Sequence, residues 1–490
     1  MYFVGIDIGT SSVKLLIINE KGEIINSVSK EYPIYFPQPS WSEQNPEGWW
    51  EQTLIGLKEL LKGIDGKSVK AISFSGQMHG LVTLDKNDNI IRPAILWNDQ
   101  RTEKECLFLN NTIGREKISH WTGNIALTGF TAPKILWLKE NEPDNFEKIE
   151  KIMLPKDYIA YKMSGVFATD YSDASGTLYL DVKNKKWSED MLDILGISVH
   201  QLPKLYESYE AIGNINKDLA DELGLNDNVK IVIGGGDQAV AAVGGGIVNE
   251  YECSVSLGTS GVIFANTKDF LVDDNNRLHS FCNANGKYHV MGVTLAAAAS
   301  LKWWVEKINK SARYDEIVSE ITKADVNKNI FFLPYLMGER TPHNDPNARG
   351  VFIGMDMTNE KKDMTRAVLE GVAFSLRDTF EIMKDMGINI SEITINGGGA
   401  RNQIWCQIIS DILNVKVNKV NSEEGPSYGA AILATVGHKL FDTVDEACNS
   451  FIKVNSTIHP NPDLVNYYDE KYKKYKLIYP SIKGLYKELN

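Results

Sequence analysis

Apolar runs broken by short polar glycine turns recur along the chain, and two of them match. Residues 4–17 read VGIDIGTSSVKLLI and residues 251–264 read YECSVSLGTSGVIF. Each has an apolar stretch, a Gly-Thr-Ser turn and a second apolar stretch, which predicts a β-hairpin. Glycine lets the turn backbone approach a ligand closely. Hydroxyls beside free N–H groups suit a phosphate. Two such turns, heading two similar halves, predict a duplicated fold with a nucleotide in the cleft between them. Only the first copy carries an acid before the turn, Asp7, where the second has Ser256. That asymmetry places a phosphate-bound cation beside the first half.

Elsewhere the pattern alternates between strand and helix. Asn45-Pro46 opens a run with apolar residues at helical spacing. VKAISFSGQMHGLVTL predicts a buried strand, a glycine turn and another strand. Residues 134–165 predict a helical stretch and a loop. Residues 229–246, VKIVIGGGDQAVAAVGGG, predict a strand, a triple-glycine turn, an acid and an Ala/Val helix. Residues 392–413, EITINGGGARNQIWCQIISDIL, share that plan and predict a second internal echo, with Ala400 where Asp237 stands. The expected class is α/β, two duplicated domains of mixed β-sheets flanked by helices. The boundaries are 1–245 and 246–490, with a hinge around Gly244–Glu250.

Composition narrows the partners. A chain of 490 residues exceeds one ordinary core. With 43% hydrophobic and 24% charged residues it is a globular composition, not a disordered one. A net charge of −12, without basic runs interleaved with aromatics, argues against nucleic acid. No apolar run approaches the ~20 residues of a membrane helix, and the opening MYFVGIDIG lacks a signal-peptide layout. Cys106, Cys253, Cys282, Cys406 and Cys448 are scattered, which predicts a reduced, cytoplasmic setting. The eight histidines lack metal-ligand spacing, so a protein-held zinc is not expected.

The chain contains neither G-x-x-x-x-G-K-[ST] nor a strand-borne G-x-G-x-x-G, which leaves the two hairpins as the phosphate-binding apparatus. This layout resembles the actin-like ATPase (ribonuclease H-like) superfamily, in which a third glycine turn holds the nucleoside. Here that turn is Gly397-Gly398-Gly399-Ala400. Among candidate acids, Asp237 follows three glycines at a strand end, which suits a helix N-cap or a general base. Asp7, between Ile6 and Ile8, needs a partner if buried. A hydrated Mg²⁺ shared with phosphates is one.

Gly76-Gln77-Met78-His79-Gly80, PAILWNDQR at 93–101, GFTAPKILWLKEN at 129–141 and GVFIGMDMTNEKKDMTRAVLE at 350–370 resemble the FGGY carbohydrate kinases. The last two runs fit that family's two signatures, and the likeness extends from residue 1 to about residue 440. Within the family, SGQMHG, LPKDY, SDASGT, SLGTSGV and PYLMGERTPHN look like the branch that phosphorylates D-xylulose. The resemblance implies transfer of a phosphoryl group from ATP to D-xylulose, giving D-xylulose 5-phosphate in D-xylose catabolism. It implies that Asp237 deprotonates the sugar hydroxyl and that Gln77, Met78, His79 and Trp97 line the sugar. Thr10, Ser11, Lys14, Gly258 and Thr259 would hold the phosphates, and Gly398, Gly399, Ala400 and Gln403 the nucleoside. Asp7 would bind Mg²⁺, largely through water and phosphate. A glycerol-type member is expected to carry Arg-Glu where Met78-His79 stand. A non-catalytic sensor would tolerate loss of Asp237. A chaperone-type ATPase needs a peptide-binding domain for which no region is left over. The implied partners are a small sugar and ATP, with a homodimer left open.

Overall fold

The computed structural model describes residues 1–323, 326–422 and 424–489. Two mixed sheets organise it. The first contains β1 (Tyr2–Ile8), β2 (Ser12–Asn19), β3 (Ile24–Glu31), β4 (Val69–Gly76), β5 (Ala211–Asn214) and β6 (Lys230–Gly236). Their spatial order is β5-β6-β4-β1-β2-β3. β1, β2 and β3 form an antiparallel meander, while β1, β4 and β6 run parallel. The central strands are buried on both faces, which explains why they read as nearly continuous apolar runs.

The second sheet contains β7 (Cys253–Leu257), β8 (Gly261–Thr267), β9 (His279–Cys282), β10 (Tyr288–Thr294), β11 (Glu392–Asn396), β12 (Lys416–Val420) and β13 (Val454–Ile458). Its order, β9-β10-β8-β7-β11-β12-β13, matches the first sheet with one strand added. Both Gly-Thr-Ser turns join the expected hairpins, β1–β2 and β7–β8.

The second echo is corrected by this topology. β11 is the parallel neighbour of β7, so its counterpart is β4, the neighbour of β1. The Gly397 turn therefore corresponds to the Gln77–His79 turn and not to the Gly234 turn. Ala400 is not the equivalent of Asp237. Both triple-glycine turns end a parallel strand close to a neighbour, which produces similar sequences in different places. Residues 134–165 also hold more than a helix and a loop. Helices α2 (Thr131–Asn141) and α3 (Pro155–Ser164) flank a short strand, Lys151–Met153, that pairs with Val82–Leu84.

Other helices follow the sequence signals. In α1 (Pro46–Leu60), Asn45 is the N-cap and its side chain accepts from the Glu47 N–H, with proline in the first turn. α4 (Asp237–Gly244) and α7 (Gly425–Gly437) each follow the third parallel strand of their sheet, and they pack on each other. A Cβ at Gly429 would collide with the Val240 carbonyl, and one at Gly244 with that of Gly425. α7 also lies on the first sheet, where Gly5 faces the Ser427 carbonyl. Phe3, Leu16, Ile18, Ala71 and Val232 thus share one core with residues of α7 and α8 (Val444–Phe451). By packing, this late segment joins the first sheet. The final helix α9 (Pro462–Leu489) buries Tyr468, Tyr472 and Tyr475 against α5 (Lys361–Asp385). Lys471 pairs there with Glu370, at 2.7 Å.

Candidate active site

Parallel pairing brings three strand ends to one level. Asp7 and Gly235 flank Ser75, and Ile8 and Gly236 flank Gly76. Gly9, Gln77 and Asp237 therefore follow the sheet at its carboxyl edge, where ligands bind in open α/β sheets. Asp237 is the first residue of α4, with Gly236 at the cap, so its carboxyl does not serve as the N-cap. Burial and the nearby Asp7 charge raise the Asp237 pKa to about 7. Burial raises Asp7 to about 6, tempered by Ser75 and Lys14. Asp7 Oδ1 is sealed from solvent with no hydrogen-bond partner. Two carboxylates that repel each other, one with an orphaned oxygen, fit a divalent cation between them. Among the described residues no group of three or more His, Cys, Asp or Glu could hold a metal.

The first phosphate turn is braced from several sides. The Gly9 N–H donates to Ser12 O at 3.0 Å. Tyr32 Oη donates to Gly9 O at 2.6 Å, and Gln44 Nε2 to Thr10 O at 2.7 Å. Gln77 is buried and donates to Gln44 Oε1 at 3.0 Å, so it supports this turn. Trp97, 41% exposed, donates to Thr10 Oγ1 at 3.0 Å, which ties its indole to this turn. Ser11 is exposed at the turn tip. Lys14 forms an ion pair with Glu424 across the two halves. The second turn, Gly258 and exposed Thr259, receives the N–H groups of Ala298 and Ala297 on its carbonyls, each at 2.9 Å.

The Met78–His79 turn is shaped by unusual backbone. His79 has φ +69°, a conformation that costs a non-glycine residue energy and marks functional sites. Its Nδ1 lies 2.6 Å from Gly176 O. A carbonyl only accepts, so Nδ1 carries the proton and Nε2 is left as an acceptor. Burial and the Lys134 charge lower the His79 pKa to about 3, so the ring is neutral. Its carbonyl accepts from Thr131 Oγ1 at 3.1 Å and Lys134 Nζ at 2.8 Å. Met78 is buried against Gly236, whose added Cβ would meet the Met78 sulfur at 3.1 Å. Phe130 lies 4.7 Å from the His79 ring, and His279 stacks on Phe281. The second half thus contributes an aromatic wall.

Ile395, Asn396, Gly397, Gly398, Ala400, Arg401, Lys419 and Ser422 line a cavity of about 230 Å³ at the third turn. A Cβ at Gly397 would meet the Leu257 carbonyl at 2.7 Å, which sets this cavity beside the second phosphate turn. Gly399 is buried against Trp405. Gln403 is exposed at the start of α6 (Gln403–Leu413).

Sequence reasoning missed several of these groups. Gln44, Phe130 and Lys134 act by contacts distant in sequence. His279, Phe281, Lys419 and Glu424 come from the other half. Lys134 lies inside GFTAPKILWLKEN, so the motif carried a signal without a role. Asp99 and Arg101 are structural. Their 2.7 Å ion pair is buried, with Arg101 stacked 3.7 Å over Trp41.

Models of the N-terminal and C-terminal domains of the FGGY family of carbohydrate kinases match residues 2–244 and 253–438. The chain belongs to the FGGY family of carbohydrate kinases. A xylulose kinase from Staphylococcus xylosus is 41% identical over 98% of this chain and 99% of its own. The crystal structure of a "xyloylose kinase" from Brucella ovis matches at TM-score 0.95 and 36% identity, covering 99% of this chain and 100% of that one. A gluconate kinase structure from Lactobacillus acidophilus also reaches TM-score 0.95, at 27% identity over 100% and 99% of the two chains. This FGGY kinase therefore has the actin-like ATPase fold. Among its described residues no helix is long and apolar enough to cross a membrane.

Proposed function

We propose that this FGGY kinase transfers a phosphoryl group from ATP to D-xylulose, giving D-xylulose 5-phosphate for D-xylose breakdown. The fold alone does not choose the sugar, because the gluconate kinase is as similar in shape. The observation that carries the choice is the 41% identity to a xylulose kinase over nearly the whole chain. The Met78–His79 turn beside Asp237 agrees with it.

In this reading Asp237 accepts the proton of the attacking hydroxyl. A base whose pKa is about 7 is matched to neutral pH. His79 accepts a hydrogen bond from a neutral sugar hydroxyl through Nε2, and Met78 supplies an apolar wall. The two hairpin turns present backbone N–H groups to the phosphates. Mg²⁺ would be held beside Asp7 through water and phosphate and would supply charge neutralisation during transfer. The Gly397 turn would seat the nucleoside. The halves 1–245 and 246–490 would close on the substrates and exclude water.

A coupled assay across D-xylulose, D-ribulose, gluconate and glycerol tests the reading. D-Xylulose should have the highest kcat/KM. Preference for another sugar overturns the substrate, and absence of turnover with every sugar overturns the kinase reading.

A further inference from the structure

Behind the strand end that carries Asp237 lies a buried polar chain that no step of the transfer uses. Lys156 is fully buried at the start of α3, and its Nζ lies 2.6 Å from Asp157 and 2.9 Å from Asp170 Oδ1. Asp170 accepts from Ser172 Oγ at 2.5 Å and from Ser208 Oγ at 2.6 Å, both on Oδ2. Having donated its proton, Ser172 Oγ accepts from the Gly236 N–H at 3.1 Å. Every side chain in this chain is buried. The Gly236 peptide leads directly into Asp237.

From this geometry we infer that Ser172 is a positioning residue, and that the relay Lys156–Asp170–Ser172–Gly236 holds Asp237 in its reactive orientation. Three observations converge. A hydroxyl that donates to a carboxylate is a better acceptor, because linked hydrogen bonds polarise one another. The ammonium of Lys156 pairs with Asp170 Oδ1 at 2.9 Å and so fixes that carboxylate in place within a dry interior. Met78 also packs against Gly236, 3.0–3.1 Å from where a Cβ would stand. Gly236 thus touches both the relay and a residue of the Met78–His79 turn. Lys156 also packs on that turn's origin, since a Cβ at Gly76 would meet its Cβ at 2.9 Å. One buried lysine therefore contacts both sides, its stem packing on the Gly76 strand end and its ammonium holding the relay behind Gly236. General-base catalysis is sensitive to such placement, since a misplacement of ~1 Å can cost ~10²-fold.

The inference rests on Asp237 being the base, and the experiment separates the two. Ser172→Ala removes the acceptor of the Gly236 N–H. Ser208→Ala removes a hydrogen bond to the same Asp170 oxygen and a long 3.5 Å contact to Ser172 Oγ, and leaves the Gly236 N–H its acceptor. Steady-state kinetics should show Ser172→Ala lowering kcat about tenfold to hundredfold, with the KM values for sugar and ATP within twofold of wild type. Ser208→Ala should keep kcat within about threefold of wild type. Thermal unfolding of both variants, with bound sugar, checks that they fold. Equal losses in the two variants, or a Ser172→Ala loss that appears as raised KM, would reduce the cluster to core packing and overturn the relay. Wild-type kcat in Ser172→Ala overturns it as well. If Ser172→Ala does not fold, Ser172→Cys with its weaker acceptor must give an intermediate kcat, and an unchanged kcat overturns the relay. Should Asp237→Asn stay active, the base reading fails independently of either serine variant.

Discussion

At the scale of single residues, Asp237 and His79 make opposite pH predictions. The Asp237 carboxyl is raised from 3.8 to about 7 by burial and by Asp7. As a base it must be ionised, so kcat/KM should rise with pH up to about 7 and level off above. The raised value also has a stability consequence. The unfolded chain releases this proton near pH 4 and the folded chain near pH 7, so the site costs stability progressively across that window and fully above it. Asp237→Asn should therefore lose ~10²–10⁴-fold in kcat yet melt at a higher temperature than wild type at pH 8, with the difference fading toward pH 4. A lower melting temperature at pH 8 would contradict the burial argument. His79, lowered to about 3, stays neutral across the working range. His79→Ala should raise the sugar KM about threefold to tenfold, the loss of one neutral hydrogen bond. The effect should be equal at pH 6 and pH 8. A pH-dependent KM effect would mean that the ring titrates.

At the scale of elements, the contact of α4 with α7 leaves no room for a side chain. Glycines on both helices let the backbones touch, and the carbonyl of Val240 occupies the space a side chain at 429 would need. Overpacking a well-filled interior costs ~1–3 kcal/mol or more. Gly429→Val should lower the melting temperature by several degrees or prevent soluble expression, because no flexible side chain is there to move. Gly484, with open space around its Cα, is the control, and Gly484→Val should leave stability nearly unchanged. Equal melting temperatures for the two variants would show that α4 and α7 separate without cost.

For the whole molecule, the proposed nucleotide site draws on both halves at once. Asp7 and Lys14 come from the first hairpin, Thr259 from the second, and Glu424 closes an ion pair with Lys14. Asp7→Ala should increase the Mg²⁺ concentration needed for half-maximal rate while leaving sugar affinity, measured by calorimetry, unchanged. Lost sugar affinity with an unaltered Mg²⁺ requirement would move the cation elsewhere. Lys14→Met should raise the KM for ATP more than that for sugar, since Lys14 can exchange Glu424 for a phosphate.

Local pattern by itself determined the two hairpins, the α/β alternation, the cap at Asn45 and the candidate acids Asp7 and Asp237. Each depends on neighbours in the chain: a turn needs its glycine, a strand its apolar run, a cap its side chain two residues away. Motifs added the kinase family and most of the candidate residues around the cleft. Tertiary structure decided the rest, because pairing across the chain is not a local property. Two similar strand–glycine–helix segments proved to occupy different places, since sheet order and not sequence plan sets equivalence. Residues 425–451 joined the first sheet because their glycines and small apolar residues let the backbone pack directly on it and on α4. The bond of the Trp97 indole N–H to Thr10 Oγ1 joins residues far apart in the chain and could not be read locally. The shifted acidities of Asp7, Asp237 and His79 arise from burial and from charges brought together across 230 residues of chain. That environment exists only when the strand ends meet.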